Sequence, residues 1–182
     1  LSQRNNVDDL VNLILTGQVA ILIDGQKTAL AVNCPGAPER AVGETLTERT
    51  VRGPKEAFTE NIQTSIALVR RRARSTGLKV EILTVGKRSR TRIAMLYYVD
   101  IAPEELVNEV RRRICQISTD TIESTGEIEQ FIEDNTWSTF PQLLNTERPD
   151  KVIASITSGR VGILVDGTPY ALLAPSVFTD FF

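Results

Sequence analysis

The side chains able to do chemistry are few and scattered. Two aspartates, Asp24 and Asp166, stand at matching places before a glycine, in Asp24-Gly25 and Asp166-Gly167. Two carboxylates brought together could act as general acid and base. The same dipeptide is also what a tight hairpin turn prefers, because Asp bonds to nearby backbone and Gly accepts a positive φ. The turn reading of both pairs is the stronger. Two thiols are present, Cys34 and Cys115, and there is no histidine. That removes the usual base for a Ser or Cys nucleophile and the commonest metal ligand. Cys34 lies in a Pro/Gly stretch with no base in view, and Cys115 is expected to be buried packing. The glycines form neither G-x-x-x-x-G-K-[ST] nor G-x-G-x-x-G. The residues point away from an enzyme, and no cofactor or metal is expected.

Charge and aromaticity remain. Arg148-Pro149-Asp150 could clamp a ligand, or Asp150 could favour the start of a helix electrostatically. The trios Arg70-Arg71-Arg72 and Arg111-Arg112-Arg113 could hold phosphate or lipid headgroups, or be solvated helix ends with some pairing to acids. Tyr97, Tyr98, Trp137, Phe140 and Tyr170 could line a small-molecule cleft, or pack a core. Net charge is −2 over 182 residues, but it is unevenly spread. Residues 52–113 carry 14 Lys/Arg against 7 Asp/Glu, and residues 114–182 carry 3 against 10. The two regions could neutralise one another, or the basic one could meet an acidic neighbour or an anionic membrane. Nucleic acid is disfavoured, because aromatic residues do not interleave the basic stretch.

The elements that must position these residues are announced by a repeat. Thr16-Gly17-Gln18-Val19-Ala20-Ile21-Leu22-Ile23-Asp24-Gly25 returns as Ser158-Gly159-Arg160-Val161-Gly162-Ile163-Leu164-Val165-Asp166-Gly167. Each copy follows a stretch with helical spacing, 8–15 and 149–157. The unit reads helix, glycine stop, apolar and therefore buried strand (19–23 in the first copy), Asp-Gly turn, strand (28–32). Between the copies, Pro54 suits a helix start, and Phe58, Ile62, Ile66, Val69 and Ala73 fall on one face up to a stop at Gly77. Strands follow at 78–85 and 91–99 around a turn at 86–90. The second has apolar side chains on both faces and should be an interior strand. A helix from Pro103 turns Leu106, Val110, Ile114 and Ile117 inward. A short strand at 120–122, a helix opened by the Ser124-x-x-Glu127 capping box and running through Asp134, and a loop at 137–146 complete the chain.

These spacings predict an α+β protein of two small lobes with mainly antiparallel pairing, and two such lobes make a natural inter-lobe cleft in which a small molecule could bind. One lobe would join 1–51 with 135–182, the two cassettes pairing with each other; the other would be the inserted block 52–134. Sequential N- and C-terminal lobes are the alternative. No apolar run is long enough to cross a bilayer. Residue 1 is Leu, and the last residues, Phe178 to Phe182, close on apolar side chains. A piece of a longer protein is expected, with its neighbour beyond the C-terminus.

Particular stretches are similar to one family. Arg52-Gly53-Pro54-Lys55-Glu56-Ala57-Phe58-Thr59-Glu60-Asn61-Ile62 resembles a segment of GerA-type spore germination receptor A subunits, as does Ala67-Leu68-Val69-Arg70-Arg71-Arg72. Ser124-Thr125-Gly126-Glu127-Ile128-Glu129, Ile132-Glu133-Asp134, Phe140-Pro141, Thr146-Glu147-Arg148-Pro149-Asp150 and the segment from Gly159 to Pro169 match the same family in the same order. The resemblance implies a large hydrophilic N-terminal domain that precedes a bundle of membrane helices. It implies action at the inner spore membrane, with this domain on the cytoplasmic, spore-core side. It further implies B and C subunits and other A subunits as partners, nutrient sensing, and an ion-conducting pore. No catalytic residue carries over. Contacts to partners or to a small nutrient are expected among Arg52, Glu60, Asn61, Arg70, Arg71, Arg72, Arg111, Arg112, Arg113, Arg148 and Asp150.

Overall fold

The computed structural model describes residues 2–4, 6–15, 18–32, 45, 48, 53–133 and 142–176. Among them the elements run β1 (Ser2–Arg4), α1 (Val7–Leu15), β2 (Val19–Ile21), β3 (Ala29–Val32), α2 (Ile62–Ala73), β4 (Leu78–Val85) and β5 (Thr91–Tyr98). Then come α3 (Glu104–Gln116), α4 (Thr125–Ile132), β6 (Leu144–Thr146), α5 (Pro149–Thr157), β7 (Val161–Val165) and β8 (Ala171–Ala174). The strands form two antiparallel sheets, a three-stranded one in the order β1-β3-β2 and a five-stranded one in the order β4-β5-β7-β8-β6. The fold class is α+β, as expected.

The larger sheet follows from β5. A strand apolar on both faces is stable only with strands on either side and cover above and below. β5 lies between β4 and β7, and Ile93, Ala94, Met95 and Leu96 are fully buried. Ile93, Met95 and Tyr97 join Ile163 and Val165 beneath Val110 and Ile114 of α3 and Ile128 and Ile132 of α4. Ala94, Leu96 and Tyr98 join Leu164 and Leu173 beneath Ile62, Ile66 and Val69 of α2 and Val152 and Ile156 of α5. Helices therefore cover both faces. Each fully buried aliphatic side chain stabilises this arrangement by roughly 1.5–3 kcal/mol.

Among the described residues the two cassettes do not pair with each other. The second, β7 and β8, enters the larger sheet through β5, while the first stays in the smaller sheet with β1. The reason is the same double-faced apolar strand: β7 completes the cover that β5 requires. Nor is the first copy's strand buried. Val19 and Ile21 are 48% and 45% exposed, whereas their counterparts Val161 and Ile163 are both at 0%. The turns agree in both copies, with Gly25 at φ 78° and Gly167 at φ 89°, a conformation that favours glycine.

Helix ends account for most other differences. Pro54 does not start α2; residues 53–61 are not helical, and Asn61 caps the helix by accepting the Gln63 and Thr64 amides at 2.9 and 3.3 Å. A side-chain oxygen at this place satisfies donors that the first turn leaves unpaired, which Pro54 cannot do. Phe58 is buried all the same, with its amide donated to the Glu147 carbonyl at 2.9 Å. At the other end Arg74, not Gly77, takes the left-handed conformation at φ 42° and closes its amide on the Arg70 carbonyl. The Ser124 cap forms as the spacing predicts, with Glu127 N–H donating to Ser124 Oγ at 3.3 Å, while the Glu127 carboxylate accepts the amide of Glu123, one residue before the cap, at 3.4 Å.

No strand forms at 120–122, because the Thr119 and Asp120 carbonyls instead accept the Lys87, Arg88 and Ser89 amides of the β4–β5 turn. Within the loop expected at 137–146, residues 144–146 form β6, paired along β8. Cys115 is exposed rather than packed in the core, since its position on α3 is turned away from Val110 and Ile114. Cys34, Arg52, Asp134, Trp137, Phe140 and the C-terminal phenylalanines lie outside the described residues.

The tightest helix–sheet approach is at Gly162. A Cβ there would meet Val152 Cγ1 at 3.2 Å and Leu96 Cβ at 3.6 Å. Gly162→Val is expected to lower the unfolding free energy by about 1–3 kcal/mol through overpacking, read by urea denaturation.

Candidate functional site

The start of α2, the β4–β5 turn and the β7–β8 turn meet in a cleft of about 770 Å³. Thr59, Glu60, Asn61 and Thr64 line one side, Ser89, Arg90, Thr91 and Arg92 the second, and Asp166 with Gly167 the third. The joint between them is made of hydrogen bonds. Asp166 Oδ2 accepts Arg92 Nε and Nη2 at 3.1 and 2.8 Å, and Oδ1 accepts the Ile62 amide at 3.2 Å. Gly167 donates its amide to the Glu60 carbonyl at 2.8 Å, and Asp166 donates its own to the Arg92 carbonyl at 3.0 Å. The hairpin turn is thus also the fastener of α2. Asp24, its partner in the repeat, is exposed and is not among the residues that line the cleft.

The chemistry of the cleft is that of polar recognition. The Ile62, Gln63, Thr64 and Ser65 amides are all taken by Asp166 and Asn61, so the helix N-terminus is not open to an anion. Charge comes instead from the exposed side chains of Glu60 and Arg90 at the rim. A metal is not suggested: among the described residues no group of three His, Cys, Asp or Glu could hold one.

The arginine trios divide. Arg72 Nη2 lies 2.5 Å from Glu56 Oε2. Arg111 grips Glu81 across the sheet face through Nε–Oε1 at 2.7 Å and Nη2–Oε2 at 2.8 Å. Those hydrogen bonds hold the Glu81 carboxyl below its ordinary range, against the opposing effect of burial. Arg112 and Arg113 both bind Glu109, at 2.7 and 2.6 Å, and bring its pKa down to about 2. Arg113 also reaches the Ile132 carbonyl at 2.6 Å, tying α3 to the end of α4. The basic block therefore pairs chiefly with its own acids; to the acidic third it reaches through Arg92–Asp166 and Arg88–Asp120, the latter at 3.6 Å. Arg70 and Arg71 remain exposed on α2.

Arg148 and Asp150 do form a clamp, but on each other: Arg148 Nε donates to Asp150 Oδ1 at 3.1 Å and Nη2 to Oδ2. Burial pushes the Asp150 carboxyl up; the Arg148 hydrogen bonds and charge, with Arg72 adding to them, outweigh it and leave the pKa lowered. Beside this pair the buried Glu147 accepts the Glu48 amide at 2.8 Å, and Glu48 in turn accepts Thr146 Oγ1 at 3.0 Å and meets Lys151 Nζ at 3.2 Å. This polar knot pins the approach to α2 against α5. The tyrosines cannot line one cleft, because Tyr97 and Tyr98 point into opposite cores.

The Bacillus/Clostridium GerA spore germination protein model matches residues 1–182. The chain belongs to the GerA family. It is 42% identical to spore germination protein GerLA of Bacillus cereus over 182 residues, all of this chain and 37% of that protein. It is 40% identical to spore germination protein B1 of Bacillus subtilis (strain 168) over 177 residues, 97% of this chain and 37% of that one. The chain thus spans little more than a third of these relatives. Its structure superposes on the crystal structure of the N-terminal domain of the A subunit of the Bacillus megaterium spore germinant receptor GerK3, with a TM-score of 0.71 and 36% identity over 97% of this chain and 63% of that one.

In this GerA-family domain the expected contact residues are not one site. Glu60 and Asn61 come together in the cleft with the Asp166-Gly167 turn; Arg72, Arg148 and Asp150 gather at the α2–α5 junction; Arg111, Arg112 and Arg113 stay on α3. Sequence reasoning missed Ser89, Arg90, Thr91 and Arg92. Their signal, two arginines alternating with hydroxyl residues where the turn 86–90 passes into the strand 91–99, reads as a hairpin and not as a site. Because Asp166 fastens α2 and Asp24 fastens nothing described, Asp166→Ala should cost about 1–3 kcal/mol of stability. Asp24→Ala should stay within about 0.5 kcal/mol of the parent; chemical denaturation of the two variants side by side compares them.

Proposed function

We propose that this chain is the extramembrane N-terminal domain of a germinant-receptor A subunit, acting in receptor assembly and in passing the germination signal to the membrane part of the receptor. The observation that carries this reading is the match along the whole chain to proteins of which it forms little more than a third. Such a domain works by what it touches. Its partners in this reading are the B and C subunits and other A subunits, at the inner spore membrane, with the domain on the spore-core side. Among the described residues no helix is long and apolar enough to cross a membrane, so anchorage is assigned to the remainder of the receptor subunit.

The exposed end of α2, which carries Arg70 and Arg71, is the surface this reading offers to an acidic neighbour. There the C-terminal end of the helix dipole and the guanidinium groups of Arg70 and Arg71 lie together. Arg70→Glu with Arg71→Glu is expected to reduce co-purification of the receptor subunits and to slow nutrient-triggered germination severalfold, with the domain's thermal melt unchanged. Wild-type assembly and germination rate in that double variant would refute the assembly role.

The polar cleft favours a second reading, a module that binds a small nutrient. Glu60 and Arg90 on its rim offer opposite charges to a zwitterion such as an amino acid, and the surrounding hydroxyls offer partners to a sugar. The cleft lies at one end of the five-stranded sheet rather than between two lobes. Titration calorimetry with amino acids and sugars at millimolar concentration is expected to give heat that Arg90→Ala abolishes; no heat with any of them disposes of this reading.

A further inference from the structure

The dipeptide Asp-Gly occurs at equivalent places in the two copies of the repeat, and the structure gives it two different surroundings. An aspartate before a glycine can react with its own backbone, the glycine nitrogen attacking the side-chain carboxyl carbon. Glycine has no side chain to shield that nitrogen. In a folded chain the reaction then depends on whether the carboxyl and the amide are free to meet.

The turns themselves are alike. Gln26 donates its amide to the Ile23 carbonyl at 3.1 Å, and Thr168 donates to the Val165 carbonyl at 3.4 Å. Nor does crowding separate them, since a Cβ on Gly25 or on Gly167 would meet nothing within 4 Å. What differs is the hold on the reacting groups. At the second turn both are engaged: Asp166 Oδ1 accepts the Ile62 amide, Oδ2 accepts Arg92 Nε and Nη2, and the Gly167 amide donates to the Glu60 carbonyl. The strands below are fixed too, with the β7–β8 ladder running to Leu164↔Ala171 and Val161 to Val165 all buried.

At the first turn these restraints are missing. The β2–β3 ladder ends at Ile21↔Leu30, so the pair that would match Leu164↔Ala171 is not made. Every residue from Ile21 to Lys27 is exposed. Among the described residues no hydrogen bond holds the Asp24 carboxylate or the Gly25 amide. A segment with few backbone bonds and no buried contacts opens at little cost in free energy.

We propose that Asp24-Gly25 is a site of spontaneous isoaspartate formation, and that the fastening of Asp166 protects the same dipeptide in the second copy. The Gly25 nitrogen bonds to Asp24 Cγ, its proton passes to solvent, and a carboxyl oxygen leaves as water, which closes a succinimide ring. Water then adds back at the main-chain carbonyl of Asp24 and breaks its bond to the Gly25 nitrogen. The chain now runs through Cγ, and the α-carboxylate is free. One water is lost and one regained, with no oxidant or reductant. The product places an extra methylene in the backbone of the turn, which displaces Gln26 from Ile23 and weakens the β2–β3 hairpin. The proposal is independent of the receptor reading, since it concerns the chemistry of this chain alone.

The test is to age the purified 182-residue chain in warm neutral buffer, folded and in urea, and to digest samples with trypsin. Peptides 5–27 and 161–182 carry the two sites. Isoaspartate is quantified with an isoaspartyl methyltransferase and labelled S-adenosylmethionine, and is located by fragmentation mass spectrometry. In the folded chain it should form at Asp24 about tenfold or more faster than at Asp166; in urea the two rates should converge. Asp24→Glu should remove the label from peptide 5–27, which also contains Asp8 and Asp9. Arg92→Ala should speed the reaction at Asp166 severalfold and leave Asp24 as it was; Arg92→Lys, with a smaller rise expected, serves if the alanine variant is poorly folded. Equal rates at the two sites in the folded chain overturn the proposal, as does a folded chain in which Asp24 stays intact while the unfolded chain reacts there. A rate at Asp166 that ignores both changes at Arg92 overturns the protective role of the fastening.

Discussion

The structure depends on the pairing of β5 with β7. Residues 93–96 and 162–165 come from distant parts of the chain, and their ladder is the step that joins the β4–β5 hairpin to the β7–β8 hairpin. Alternation along each strand then sends Ile93, Met95, Ile163 and Val165 to one face and Ala94, Leu96 and Leu164 to the other. Both faces are apolar at the same level of the sheet, so both must be covered. α3 and α4 close one side, and α2 and α5 close the other. Gly162 lets α5 come down onto the sheet at the centre of this ladder. A strand apolar on only one face would have permitted an open sheet, and the three-layer arrangement would have had no cause.

Charge organises what the apolar ladder leaves at the perimeter. The pairs Arg111–Glu81 and Arg72–Glu56 fix helices to neighbouring elements, and Arg113–Glu109 lies within α3, with side chains between about a quarter and a half exposed. Exposed ion pairs contribute little individually. Their role here is more to occupy the guanidinium groups than to stabilise the fold. Among the described residues, exposed basic side chains stand at the end of α2 (Arg70, Arg71, Arg74) and in the β4–β5 turn (Lys87, Arg88, Arg90). The polar knot of Glu147, Glu48, Thr146 and Lys151 acts in a similar way inside the molecule, holding the approach to α2 so that Asn61 and Asp166 meet the first turn of that helix together. The cleft owes its shape to that meeting.

Local chemistry was legible wherever a residue's role depends on its near neighbours. The β4–β5 hairpin, the inward face of α3, the capping box of α4 and both Asp-Gly turns follow from spacing and turn preference, and the family resemblance followed from short stretches in order. The start of α2 was misread because Pro54 is a permissive residue for a helix start, whereas Asn61 makes the hydrogen bonds. Arg90 reads as a member of a turn and Arg92 as a member of a strand, since nothing along the chain says that residue 166 returns to them. Cys115 shows the same limit: helical spacing tells which positions share a face, but its neighbours on α3 do not announce which side of the helix the sheet takes.

The repeat separates the two kinds of information most clearly. By itself the sequence determined that both copies make a helix and a hairpin with the same turn and the same apolar strand, because hydrophobic pattern and glycine conformation act over a few residues. Burial was decided only in three dimensions. Val161 and Ile163 lie in the core because β7 has β8 on one side and β5 on the other, and Val19 and Ile21 stand half-exposed because β2 has a described strand, β3, on one side only. The two strands are nearly the same string of side chains; what differs is the company that a long-range backbone ladder brings, and that ladder is invisible to any reading that moves along the chain one window at a time.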